Sequence, residues 1–120
     1  MRKRRLLVVD DDDAVLDYLR AKLGARYELI CLDSSDQVLR RAHDAKPDLI
    51  LCDIDMPGMD GGDVSAALFA DDATRDIPVL FLSALVSASR EVGGRHAIAK
   101  SAPLPELVAK IESLLRLDLR

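Results

Sequence analysis

Apolar and polar residues fall into alternating blocks along the chain, and the blocks change period from one to the next. Arg5 to Val9 is a short apolar run with the length of a strand. From Ala14 to Leu23 the apolar positions Val15, Leu16, Leu19 and Leu23 take helical spacing, and Gly24 supplies a stop. Tyr27 to Leu32 reads as a second strand. Ser34-Ser35-Asp36-Gln37 has the Ser-x-x-Gln form of a capping box opening a helix through Val38, Leu39 and Ala42. Pro47 closes that unit, and Asp48 to Cys52 is a third strand, apolar from Leu49 onward. The stretch Met56 to Gly62 carries one proline and three glycines and is predicted as a loop. A helix over Asp63 to Ala70, a strand over Ile77 to Leu82 and a short fifth strand centred on Ala97 to Ala99 follow. The last helix keeps Leu104, Leu107, Val108, Ile111, Leu114 and Leu115 on one face, with Pro105 near its first position.

Five strands alternating with helices predict an α/β domain: a five-stranded parallel sheet covered by helices on both faces, because right-handed crossovers place them there. The thirteen residues from Ala84 to His96 carry few apolar positions and include Gly93-Gly94. A mean helix takes about 11–12 residues, so the fourth helix is expected to be short, distorted or absent. The length of 120 residues suits a single domain, 1–120, with no second module.

Composition narrows the class only a little. Hydrophobic residues make up 49% and mean hydropathy is +0.06, values of an ordinary globular chain. No apolar stretch approaches the roughly 20 residues of a membrane span. Leu6 to Val9 is too short for a signal-peptide core, so a cytoplasmic location and no membrane partner are expected. Cys31 and Cys52 lack Cys-x-x-Cys spacing and read as buried small hydrophobes in a reducing compartment. The net charge of −4 gives no basic balance, so nucleic acid is not an expected partner of this chain. The basic tetrad Arg2-Lys3-Arg4-Arg5 reads as a solvated tail.

The chemistry lies at the ends of the strands. Asp53 follows the apolar run of strand three, and Asp10-Asp11-Asp12-Asp13 follows that of strand one. The carboxyl ends of parallel strands are where open α/β sheets place ligand sites. Carboxylates converging there oppose one another's ionisation, and a hard divalent cation resolves the conflict. Mg²⁺ suits an oxygen-only set of Asp10, Asp11 and Asp53 that bridges to a phosphate, and no loop has the spacing of a dedicated calcium site. With a cation present, a carboxylate can attack phosphorus. Ser83 at the end of strand four and Lys100 at the end of strand five supply a hydroxyl and an ammonium on the same edge. Four consecutive aspartates can align in more than one way; Val8-Val9 before Asp10 favours Asp10 and Asp11 as the pair, with Asp12 and Asp13 then read as helix-start residues.

On these residues the whole chain resembles the receiver domain of bacterial two-component response regulators of the chemotaxis-regulator type. The matching stretches are Leu6 to Asp12, Pro47 to Gly61, Pro78 to Ala84, and Lys100. The resemblance implies a flavodoxin-like doubly wound fold and phosphorylation of Asp53 by a histidine kinase or histidine phosphotransfer protein. It implies Mg²⁺ held by Asp11, Asp53 and the backbone carbonyl of Asp55, with Asp10 acting through water. Ser83 and Lys100 would contact the phosphoryl group. The chain would be a phosphoacceptor that assists its own phosphotransfer and dephosphorylation rather than an enzyme on a separate substrate. Its downstream target is left open.

Three departures concern readout. The family usually has Tyr or Phe three residues before the lysine, where this chain has Ala97. A methyl group cannot act as an aromatic switch. The lysine is usually followed by a cis proline, here replaced by Ser101; a cis bond before a non-proline costs about 3–4 kcal/mol. The segment of the fourth helix is also short. These departures keep open a pseudo-receiver, a docking domain in which phosphorylation is not the switch. A small Asp-x-Asp phosphatase with Asp53 as nucleophile and Asp55 as acid is a third reading, disfavoured by chain size and by the motif's place after strand three. His43 and His96 read as surface residues.

Overall fold

The computed structural model describes residues 3–54, 61–84, 90–92 and 95–118. Among these the order is β1 (Arg5–Val9), α1 (Asp13–Leu23), β2 (Glu28–Leu32), α2 (Val38–Ala45), β3 (Leu49–Asp53), α3 (Gly61–Ala70), β4 (Val79–Ser83), β5 (Arg90–Val92), β6 (Arg95–Ala99) and α4 (Leu104–Asp118). The sheet order is β2-β1-β3-β4-β6-β5. The five strands read from sequence all pair in parallel, and β5 joins the edge antiparallel to β6.

β5 was not anticipated. Arg90, Glu91 and Val92 carry no alternation of their own, and pairing to β6 through the register Glu91–His96 defines them as a strand. The described part of the Ala84–His96 connection holds this strand and no helix; residues 85–89 and 93–94 lie outside the described residues. The fourth helix in chain order, α4, is the one expected to come last.

Alternation within each strand divides the core into two layers. Leu6, Val8, Leu49, Leu51, Leu80, Leu82 and Ile98 pack beneath α1 and α4, against Leu16, Leu19, Leu107, Ile111 and Leu114. Leu7, Val9, Ile50, Cys52, Phe81 and Ala97 pack on the other face, against Val38 and Ala42 of α2 and Val64 and Leu68 of α3. Burial on both faces explains why these strands are near-continuous apolar runs. Each buried Leu, Ile or Val contributes about 1.5–3 kcal/mol of transfer free energy.

Local chemistry sets the helix ends. Asp12 caps α1, its carboxylate accepting the N–H of Ala14 at 2.9 Å. Gly24 ends α1 with its N–H on the carbonyl of Arg20, and a Cβ there would lie 2.6 Å from that oxygen. The capping box expected at Ser34 does not form. Ser34 donates to Asp36, Ser35 is buried, and α2 starts from Gln37, which makes no side-chain cap. α2 ends on Lys46 in the left-handed region, at φ 50°.

The basic tetrad is likewise not a solvated tail in its described part. Lys3 donates to the carbonyl of Gly24, Arg4 pairs with Asp48, and Arg5 pairs with Glu28 and donates to the carbonyl of Ala45. Asp48 also accepts the backbone N–H of Arg5 at 2.7 Å, clamping β1 to β3 at the amino edge. That clamp fixes the register that brings the opposite ends level.

Candidate functional site

Register determines which residues meet at the carboxyl edge. Val9 is level with Cys52, so Asp10 stands beside Asp53; Asp53 is level with Leu82, so Ser83 follows one step on; Ser83 is level with Ala99, and Lys100 comes next. Backbone bonds pin these ends: Asp10 N–H to Leu32, Ile54 N–H to Leu82, and Lys100 N–H to Ser83, at 2.8–3.0 Å.

Asp10 is fully buried and Asp53 nearly so, while Asp11 is exposed. One carboxylate oxygen from each of the three lies within 4.8 Å of the others. Oδ1 of Asp10 accepts the N–H of Asp12 at 2.9 Å. Oδ2 lies 2.9 Å from Nζ of Lys100, an ion-pair distance off the hydrogen-bond direction, and has no aligned donor among the described residues. Nζ is also 3.4 Å from Oδ1 of Asp53. Ser83 is buried beside them.

Burial opposes the charge on Lys100, but attraction to Asp10 and Asp53 outweighs it and raises the amine above its ordinary value. Burial, reinforced by the charges of Asp53 and Asp10, pushes the Cys52 thiol up to about 12. Cys52 is therefore a neutral packing group, as its apolar surroundings in the sequence suggested. Cys31 is half-buried and free.

The donor set fits Mg²⁺. Octahedral Mg–O bonds of about 2.0–2.1 Å place two ligand oxygens about 3–4 Å apart. The three carboxylate oxygens lie within 4.8 Å of one another, a slightly wider bound than that span, and the buried Oδ2 of Asp10 has only the Lys100 ammonium beside it among the described residues.

The sequence-predicted residues Asp10, Asp11, Asp53, Ser83 and Lys100 thus converge on one crevice. Asp55, expected to contribute a carbonyl, and Met56 and Pro57 lie outside the described residues. The Lys100–Ser101 bond is trans, with no cis peptide among the described residues. Ala97 is fully buried and level with Phe81.

Two features escaped sequence reading. A groove of about 310 Å³ runs beside Lys100 between α1 and the start of α4, lined by Val15, Tyr18, Leu104 and Leu107. Its residues come from distant segments, and no motif announces it. His43 is a surface residue, as expected, and its ring also joins Asp71 at 2.6 Å, tying α2 to the end of α3, a contact the sequence did not announce.

The model of the response regulator receiver domain matches residues 6–112. Among curated proteins, the transcriptional regulatory protein PrrA of Mycobacterium leprae is 41% identical over 118 residues, covering 93% of this chain and 50% of its own length. The chain thus spans about half the length of that relative. The N-terminal domain of a response regulator receiver protein from Methanoculleus marisnigri JR1 is 30% identical with a TM-score of 0.70, covering 91% of this chain and 94% of that one. The receiver domain of a sensor histidine kinase from Pseudomonas aeruginosa PAO1 shares the fold, with a TM-score of 0.82, 24% identity, and coverage of 94% and 98%. That structure is described with magnesium coordinated in its active site cleft.

Proposed function

The chain belongs to the response regulator receiver family, whose general mechanism is phosphorylation on aspartate, and on that premise we propose that Asp53 is its phosphoacceptor. The observation that carries this reading is the placement of Lys100 between Asp10 and Asp53, beside Asp11 and Ser83, at the carboxyl edge. In the proposed reaction an Asp53 carboxylate oxygen attacks phosphorus of a phosphohistidine. The O–P bond forms as the P–N bond breaks, and the imidazole leaves with its electron pair and takes up a proton. Lys100 offsets the charge on the phosphoryl oxygens, and the Ser83 hydroxyl donates to one of them. Asp10, Asp11 and Asp53, with the carbonyl of Asp55, would hold Mg²⁺, which when bound supplies Lewis-acid neutralisation of the phosphoryl group.

The phosphodonor in this reading is a histidine kinase or a histidine phosphotransfer protein, the donor class of the family. Incubation with Mg²⁺ and acetyl phosphate should give one base-labile phosphate per chain by intact mass, lost in Asp53→Asn. No adduct under conditions that label a control receiver would overturn the proposal in favour of a docking domain. Turnover of phosphomonoesters would favour a phosphatase instead.

A further inference from the structure

β2 is an edge strand whose free side is self-complementary. The N–H of Glu28 bonds to Arg4, and the carbonyl of Leu32 accepts from Asp10. In the parallel register with β1, Glu28, Ile30 and Leu32 therefore turn their peptide groups inward. Leu29 and Cys31 turn theirs outward, and among the described residues nothing pairs with them. The strand, Glu-Leu-Ile-Cys-Leu, contains none of the lysine, proline or glycine that commonly blunts an edge, and its apolar side chains are only half-buried.

We infer that this edge pairs with the same edge of a second copy of the chain, antiparallel about a two-fold axis at Ile30. In that arrangement Leu29 of one copy faces Cys31 of the other, and both pairs exchange backbone N–H···O=C bonds. Ile30 faces itself at the non-hydrogen-bonded position, where Cα atoms approach to about 4.5 Å. Charge selects the same arrangement. Arg26, exposed, precedes the strand, and Asp33 and Asp36, both exposed, follow it. Antiparallel pairing brings the Arg26 end of each copy beside the Asp33–Asp36 end of the other, whereas parallel pairing sets like charges together. The product is one continuous sheet with an isologous interface. The inference does not depend on phosphorylation of Asp53.

Sedimentation equilibrium of the full chain over a concentration series tests it, with circular dichroism confirming that each variant folds. A monomer–dimer equilibrium is expected. Arg26→Glu should weaken it by roughly tenfold or more, and adding Asp33→Arg to Arg26→Glu should restore it. Ile30→Cys on a Cys31→Ser background should give a disulfide-linked dimer under mild oxidation. A chain that stays monomeric to its solubility limit would overturn the inference. So would a dimer indifferent to Arg26→Glu, or the absence of the Ile30→Cys cross-link in a folded variant.

Discussion

Lys100 serves two carboxylates, and this makes it the residue through which the site's charge balance can be tested. Substitution Lys100→Met should slow acyl-phosphate formation on Asp53 by roughly 10²-fold, the usual cost of one oxyanion donor, measured by time-resolved intact mass. It should also tighten Mg²⁺ binding by calorimetry, because Asp10 and Asp53 lose their internal counter-ion. The pH dependence has a definite sign. Lys100 has a raised pKa in the folded state, so its contribution is complete below the ordinary value of 10.5 and is lost as pH rises through the folded value. Tyr27 acts in the same direction. Burial and its bond to Glu112 hold the phenol protonated, so stability falls as pH rises past its ordinary value of 10.0. Urea unfolding between about pH 9 and 11.5 should therefore show an alkaline decline, shallower in Lys100→Met and in Tyr27→Phe. The sequence marked Asp53 and Lys100 because a charge directly after an apolar run is conspicuous. It could not show that Oδ2 of Asp10 lies at the same ammonium, since that depends on two strands distant in sequence.

At the scale of elements, period was legible and local capping was not. Strands β1, β3 and β4 declared themselves because burial on both faces demands unbroken apolar runs, and α1 and α4 because one stripe suffices for each. The failed reading at Ser34 has a physical cause: its hydroxyl is taken by Asp36, and α2 begins only at Val38, with Gln37 rather than Ser34 at the cap position. The same helix ends on Lys46 in a left-handed conformation. Lys46→Gly should accordingly raise stability by roughly 0.5–1 kcal/mol, the steric cost of that conformation less the extra freedom glycine gains when unfolded, measured by denaturant midpoint at constant m. Leu51→Ala, at a fully buried position in the central strand, should instead cost about 2–5 kcal/mol. β5 was illegible because three residues without alternation become a strand only when β6 offers them a partner.

For the whole molecule, the acidic cluster should couple metal binding to folding. Three carboxylates within 4.8 Å repel one another, and the unfolded chain separates them. Mg²⁺ should therefore raise the melting temperature, by about 1.4 kcal/mol of stability for each tenfold excess over its dissociation constant. Calorimetry with and without chelator checks this, and the gain should shrink in Asp11→Asn. By itself the sequence determined the α/β alternation, the parallel sheet, and the placing of Asp10, Asp11, Asp53, Ser83 and Lys100 at the carboxyl ends of strands, because periodicity and polar residues directly after apolar runs are local properties of the chain. Only the tertiary structure decided the strand order, the β5 edge, the joint hold on Lys100 and the open edge of β2. Each of these depends on which backbones lie side by side, and hydrogen-bond register fixes that between residues the sequence keeps far apart.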